Sequence, residues 1–207
     1  MGEMSKTWTI DAEGVLTIRQ GFRKRKGTPD FYARREEIRA IVVEEGVSEI
    51  GDGWFNYLNE VREISLPTTL RLIGKSAFAS CERLKEVSIP EGIQMLDYAV
   101  LANTLIREIV IPESVTEINN SAFYECEHLQ KVVLPKTLQS IWEKAFCYCR
   151  SLTEIEIPAE VWHITDGVFE GCTNLRRIIL HSKAIDSLCW VPEGVELIQE
   201  TGDDRRH

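Results

Sequence analysis

The 207-residue sequence has no long hydrophobic run. Nothing in it approaches the ~18 uninterrupted apolar residues of a membrane-spanning helix, so membrane insertion is not expected. The opening Met1-Gly2-Glu3-Met4-Ser5-Lys6 leads into mixed sequence without the apolar core of a secretory leader. Lys6 stands where a myristoylation motif requires Ser or Thr. A soluble chain, cytoplasmic by default, is the expectation. Basic charge is scarce as well: 24 Lys and Arg against 33 Asp and Glu give −9 at neutral pH. Seven of the basic residues lie between Arg19 and Glu37 with only three acids, a local +4 that leaves −13 for everything else. A surface that acidic repels phosphate backbones, which excludes general nucleic-acid binding. The run Arg23-Lys24-Arg25-Lys26 has no interleaved aromatics and reads as a solvated loop, with a small anion site or a localisation-like patch as the alternative.

Catalytic signatures are missing too. There is no nucleophile elbow, G-x-G-x-x-G, phosphate-binding Walker loop or H-E-x-x-H. The histidines are few: His128, His163, His181 and His207 share no spacing. Six cysteines are present without a C-x-x-C pair, and Cys147-Tyr-Cys149 alternates instead of converging. Neither enzyme activity nor a metal or cofactor is expected. The 43% hydrophobic and 28% charged residues nevertheless match an ordered globular chain and not a disordered acidic one.

What the sequence does hold is an internal repeat. Val61-Arg-Glu-Ile-Ser-Leu-Pro67, Leu84-Lys-Glu-Val-Ser-Ile-Pro90, Ile106-Arg-Glu-Ile-Val-Ile-Pro112, Leu129-Gln-Lys-Val-Val-Leu-Pro135 and Leu152-Thr-Glu-Ile-Glu-Ile-Pro158 share one pattern. They begin 23, 22, 23 and 23 residues apart. Units therefore run over 38–60, 61–83, 84–105, 106–128, 129–151 and 152–174, with a partial unit from 175. With the first residue of a unit as position 1, apolar residues recur at positions 1, 4, 6, 10 and 13. Positions 4 and 6 alternate like a strand, which the proline at position 7 ends by removing a backbone donor. Positions 10–13 read as a second short extended stretch. Position 18 is aromatic: Phe55, Phe78, Phe123, Phe146 and Phe169, with Leu101 the exception.

A unit of this size cannot bury its own apolar edges, whereas stacked units bury one another's. Strands at equivalent positions would stack in parallel at ~4.8 Å, so seven coils make a rod of ~34 Å around a phenylalanine spine. Cys81, Cys126, Cys149 and Cys172 all fall at position 21, where a small apolar side chain suits a tight inward turn. Reduced thiols are expected there. Unit 84–105 is one residue short, has Leu101 in the aromatic column and lacks the cysteine. It is expected to interrupt the spine, bend or flatten the rod, and loosen the turn at 98–105. A tolerated loop deletion and a notch for a partner's side chain both fit that irregularity.

These columns, with Ala77-Phe78-Ala-Ser-Cys81, Ala122-Phe123-Tyr-Glu-Cys126 and Ala145-Phe146-Cys-Tyr-Cys149, resemble the BspA-like leucine-rich-repeat family over about residues 38–198. Trp8–Ile18 is similar to the hairpin that precedes such repeats. The resemblance implies a leucine-rich-repeat-type solenoid, mainly β, with short parallel strands stacked coil on coil, an N-terminal β-hairpin cap and few short helical turns. It also implies bacterial relatives, often secreted or surface-attached, that bind proteins. Position 9, the asparagine-ladder position of ordinary leucine-rich repeats, holds Gly46, Thr69, Gly92, Ser114, Thr137 and Glu160, so no amide ladder is expected.

The ends of such an array need covering. Residues 1–37 read as a hairpin cap around the Asp11-Ala-Glu-Gly14 turn followed by a basic connector, with 30–38 a short helix or turn. Residues 38–180 form the solenoid. Residues 181–207 read as a C-terminal cap with a frayed tail, in which Leu188, Trp190, Val195, Leu197 and Ile198 close the last coil.

Function must then lie on the outward columns. Position 2 is largely basic and position 3 largely glutamate, which reads as mutual compensation worth under about 1 kcal/mol per exposed pair. At position 5, Val110 and Val133 are adjacent apolar residues on a polar face. Trp142, Trp162 and His163 fall outside the apolar columns of neighbouring units. Tryptophans there serve either as binding hot spots or as fillers between coils. The reading is a non-enzymatic, monomeric module that presents a sheet surface to a protein partner. A structural or self-assembling spacer, and a carbohydrate-binding surface on Trp142 and Trp162, are the alternatives.

Overall fold

Apolar alternation stopped by proline, repeated every 22 or 23 residues, produces short strands that pair only with their counterparts in the next turn of the chain. A computed structural model describes residues 7–22, 29–181 and 191–200. The hairpin is antiparallel: β1 (Trp8–Ile10) pairs with β2 (Val15–Ile18). The Asp11 carboxylate fixes its turn by accepting the amides of Glu13 at 3.0 Å and Val15 at 2.8 Å. Each full coil then supplies two strands. These are β3 (Ala40–Val43) and β4 (Glu49–Ile50), β5 (Glu63–Ser65) and β6 (Leu72–Ile73), β7 (Glu86–Val87) and β8 (Met95–Leu96). The next coils give β9 (Glu108–Val110) and β10 (Glu117–Ile118), β11 (Lys131–Val133) and β12 (Ser140–Ile141), β13 (Glu154–Ile157) and β14 (His163–Ile164). Strands β15 (Arg177–Leu180) and β16 (Glu196–Gln199) follow.

The result is a parallel-stacked β-solenoid of about seven turns, as the repeat requires. Its first side carries β1-β2-β3-β5-β7, then β9-β11, then β13-β15-β16. Its second side carries β4-β6, then β8-β10-β12-β14. Among the described residues the third side has no strands. There the backbone is left-handed at position 16 (Gly53, Ser76, Ala99, Ser121, Lys144, Gly167) and at position 20 (Tyr57, Ser80, Asn103, Glu125, Tyr148, Gly171) of every unit. These reversals aim the amides of positions 16, 18 and 20 along the rod. Ser121 N–H donates to Glu143 at 2.9 Å, Phe123 to Ala145 at 2.8 Å and Glu125 to Cys147 at 2.9 Å, all backbone carbonyls of the next coil.

At the short unit the aromatic stacking is interrupted by Leu101 as expected, but the turn on this third side keeps its bonds. Ala99, Leu101 and Asn103 donate to the next coil at 3.0, 3.0 and 2.7 Å, as regularly as their neighbours do. Leu101 is fully buried in the aromatic column. The missing residue falls just after Thr104, where other coils have a two-residue turn such as Glu82-Arg83. Pairing lapses on the strand-bearing sides instead: between β6 and β8, between β7 and β9, and between β11 and β13.

The core is a column of side chains. Phe55, Phe78, Phe123, Phe146 and Phe169 are fully buried, and so is Phe31. Phe55 stacks on Phe78 at 5.7 Å, Phe123 on Phe146 at 5.1 Å, and Phe146 on Phe169 at 5.8 Å. The position-21 cysteines do more than fill space. The thiols of Cys81, Cys126, Cys149 and Cys172 donate to the position-18 carbonyls of Phe55, Leu101, Phe123 and Phe146 in the preceding coil, at 3.0–3.3 Å. Thr104 takes this position in the short unit, and its hydroxyl donates to Leu101 O at 2.9 Å. The five described cysteines are free.

Position 9 bridges coils by hydroxyls in place of amides. Thr69 Oγ1 accepts the Gly46 amide and donates to Val47 O, both at 2.9 Å. Ser114 Oγ does the same with Gly92 and Ile93, at 3.0 and 2.7 Å. At the N-terminal end a 3-10 segment, Asp30–Glu37, completes both columns. Phe31 stacks on Phe55 at 6.1 Å. The Tyr32 hydroxyl donates to Asn56 O, a position-19 carbonyl that in later coils receives an amide from the coil before. At the other end Val195 N–H donates to Pro192 O at 3.3 Å, the same turn as Leu70 to Pro67 at 3.2 Å. The strand after it, β16, lies parallel to β15, with Leu197 and Val195 packed against the core. Leu188, Trp190, Cys189, the run Arg23–Lys26, His207 and the rest of the expected frayed tail lie outside the described residues.

Candidate functional site

The outward columns place the five candidate residues in two groups. Val110 and Val133 close β9 and β11 and are direct register partners. In each strand the middle residue points inward, leaving Val110 68% and Val133 41% exposed. An open cleft of about 710 Å³ lies beside Val110, walled by Lys85, Glu86 and Val87 on one side and Arg107 and Glu108 on the other. It follows the line where β7 and β9 do not pair.

Trp142, Trp162 and His163 meet on the second side. The His163 ring lies 4.9 Å from that of Trp142 and 5.4 Å from that of Trp162, tilted by 60° and 42°. The two tryptophans have separate roles. Trp142 is half-buried, and Ser140, which shares its strand face and pairs in register with His163, is buried although its column points outward. Trp162 is 57% exposed. The structure thus joins three candidates into one aromatic cluster and keeps the valine pair apart on the neighbouring sheet.

Sequence reasoning missed Leu72, Met95 and Tyr98 on the second side, which are 49%, 38% and 49% exposed. Leu72 and Met95 hold position 12, beside the inward Ile or Leu of position 13, in the column where Glu49 and Glu117 also stand. Alternation against position 13 would have found them. The charge compensation also differs from the expected pairing of positions 2 and 3. Several ion pairs run from coil to coil, as in Arg83–Glu60 at 2.7 Å and Arg150–Glu127 at 3.2 Å, and the position-2 Arg39 lies 3.8 Å from Glu60 at position 23.

The titratable groups with shifted values include the buried thiols. Burial pushes the Cys81 thiol up to about 12 and the Cys126 thiol up to about 11, the opposite of what a nucleophilic thiolate needs. His181 sits with Nε2 2.6 Å from Glu156 Oε1 and Nδ1 3.7 Å from Glu200 Oε2, so its nitrogens face separate carboxylates and tie strand ends together. Among the described residues no group of three or more His, Cys, Asp or Glu converges on a metal position. No helix among them is long and apolar enough to cross a membrane.

A family model described as a BspA type leucine rich repeat region, in 6 copies, matches residues 30–130 and 96–189. No curated protein matches the chain. Among solved structures, a leucine-rich repeat protein from Bacteroides ovatus superposes with a TM-score of 0.61 at 17% identity, over 94% of this chain and 75% of that one. A leucine rich cell surface protein from Faecalibacterium prausnitzii gives 0.50 at 21% identity over 82% of this chain. This chain covers 61% of that protein, under two thirds of its length. The T. pallidum leucine rich repeat protein gives 0.50 at 22% identity, over 93% and 79%. At these identities the likeness is one of fold.

Proposed function

Because the chain belongs to the BspA-type leucine-rich repeat family, whose members are commonly protein-interaction or surface-associated and generally non-enzymatic, we propose that it is a monomeric protein-binding module without catalytic activity. Its outward sheet columns form the contact surface. The observation that carries this reading is the register pair Val110–Val133, exposed on strands whose other outward residues are Glu108 and Lys131. Water around two adjacent valines is released on contact, at roughly 25 cal/mol per Å² of apolar surface buried, and the polar rim would set orientation. The cleft beside Val110 offers room for partner side chains.

The test is capture from the source cell's lysate by the intact chain, compared with the double variant Val110→Ser/Val133→Ser. A partner retained by the first and lost by the second supports the reading. A turnover assay that finds robust hydrolysis by the purified chain overturns it. Light scattering over a concentration series checks the monomer: mass that grows with concentration would favour a self-assembling spacer.

A further inference from the structure

We propose that the second side of coils three to six binds a lysine- or arginine-rich extended segment of a protein partner. The proposal rests on the protein-binding reading and gives it a second, chemically distinct surface. The outward residues of β8, β10, β12 and β14 lie in register: Met95, Glu117, Ser140 and His163. Tyr98, Trp142 and Trp162 flank them. Met95, Tyr98 and Trp162 are 38%, 49% and 57% exposed, so the strip offers a thioether and a phenol to solvent at its third coil and an indole at its sixth, with the half-buried Trp142 and His163 beside the indole.

The charge on this strip has one sign. Positions 11–15 of these coils (94–98, 116–120, 139–143 and 162–166) contain Asp97, Glu117, Glu143 and Asp166 and no Lys or Arg. Among the described residues the strip's one ion pair joins Glu143 to Lys144, just outside it, at 3.5 Å. The first two coils differ: there Arg71 and Lys75 stand at the same positions beside Glu49 and Asp52 of the coil before. Asp97 and Asp166 lie on the same coils as the exposed Tyr98 and Trp162, with Glu117 on the coil after Asp97. Asp97 is also held in place, its Oδ1 accepting from Asn119 Nδ2 at 3.3 Å and from the Tyr98 amide at 2.6 Å.

Exposed rings flanked by carboxylates select a cation. The ring face attracts an ammonium or guanidinium, and a line of like charges raises the local potential toward it. Neither effect rewards a neutral sugar, and both oppose an acidic peptide. The spacing fits an extended chain crossing the coils obliquely. From Tyr98, at position 15, to Trp162, at position 11, is three coil rises along the rod, about 14 Å, and four positions across it, close to the span of about six residues of an extended strand at about 3.3 Å each. Basic residues six apart would therefore meet both ends of the strip.

The test is titration of the whole chain with three probes, read by tryptophan fluorescence. The probes are a twelve-residue peptide of alternating Lys and Ser, its Asp counterpart, and a neutral glucose hexasaccharide. The lysine peptide is expected to bind, and to weaken at least about tenfold between roughly 50 and 300 mM salt as screening shortens the reach of its attraction. Trp162→Ala should weaken it about tenfold, and Glu117→Gln with Asp166→Asn about fivefold, while Val110→Ser leaves it unchanged. Trp162 is exposed, and unchanged circular dichroism and melting of its variant would confirm folding. Equal binding of the aspartate peptide, binding of the sugar alone, no binding of any probe, or no loss in Trp162→Ala overturns the proposal. If it fails while lysate capture is still lost in Val110→Ser/Val133→Ser, only this surface is removed; failure of both removes the protein-binding reading.

Discussion

The ring of Tyr148 lies against the α-carbon of Gly171 in the next coil, so closely that a Cβ on Gly171 would stand 2.2 Å from Tyr148 Cδ1. Both residues hold position 20 and both are left-handed, with φ of 59° and 72°. Five coils place a side-chain-bearing residue here, and the sixth has glycine because its neighbour's ring already fills the space. Gly171→Ala should cost about 3 kcal/mol in urea melts, from the clash together with the left-handed backbone. Lys144→Gly, at the equivalent reversal of position 16 on the surface, should change stability in the other direction by up to about 1 kcal/mol. A Gly171→Ala variant as stable as the parent would mean that the coils are packed less closely than described.

Phe123→Ala empties one rung of the core. The Phe123 and Phe146 rings are 5.1 Å apart and within 3° of parallel, and both are fully buried. The expected loss is about 3–5 kcal/mol by denaturant unfolding. Coils stabilise one another only through their neighbours, so the units holding Leu101 and Phe146 should open more readily too. A loss below about 1 kcal/mol would be incompatible with this column being the core.

How much of this was legible in the sequence depended on whether the physics is carried by side chains or by the backbone. Phe123, Ile109 and Ile118 announced themselves because burial selects apolar side chains at fixed intervals. The third side did not, because nine of its twelve left-handed residues are not glycine, Tyr57, Lys144 and Glu125 among them. Nothing in residue type marks a backbone reversal that stacking enforces. Phe31 was invisible as a spine member because it sits outside the repeat register. Thr69 and Ser114 read only as lost asparagines, since a hydroxyl bridging Gly46 to Val47 requires the neighbouring coil to be in place. On the surface, Trp162 stood out by rarity, whereas Leu72 and Met95 were concealed by their resemblance to core residues.

The turn of the short unit provides a direct check on that lesson. Amides of Ala99, Leu101 and Asn103 should exchange with deuterium as slowly as those of Ser121, Phe123 and Glu125, because both sets are bonded to the coil that follows. Exchange in the short unit faster by tenfold or more would restore the view that its missing residue loosens this side.

Alkaline pH should unfold the protein through its thiols. Cys81 and Cys126 are pushed by burial to about 12 and about 11 in the folded chain, from an ordinary value of 9.0. The unfolded chain therefore loses these protons first. Stability contributed by the two thiols is complete below about pH 9 and falls as pH rises toward the folded values, by about 2 kcal/mol over the unit from pH 9 to 10. Cys81→Ala/Cys126→Ala should be less stable at pH 7 yet show a flatter decline above pH 9 in parallel urea melts. An identical decline in both proteins would assign the alkaline loss to other groups.

The donors of the third side all point one way, from each coil to the next, and this gives the rod a polarity that its sheets do not have. Its N-terminal end offers carbonyl oxygens, which Tyr32 meets with a hydroxyl donor at Asn56, whereas amides face the C-terminal direction. Two copies brought together by their N-terminal ends would set oxygen against oxygen on this side. That twofold pairing is thereby disfavoured by the backbone itself.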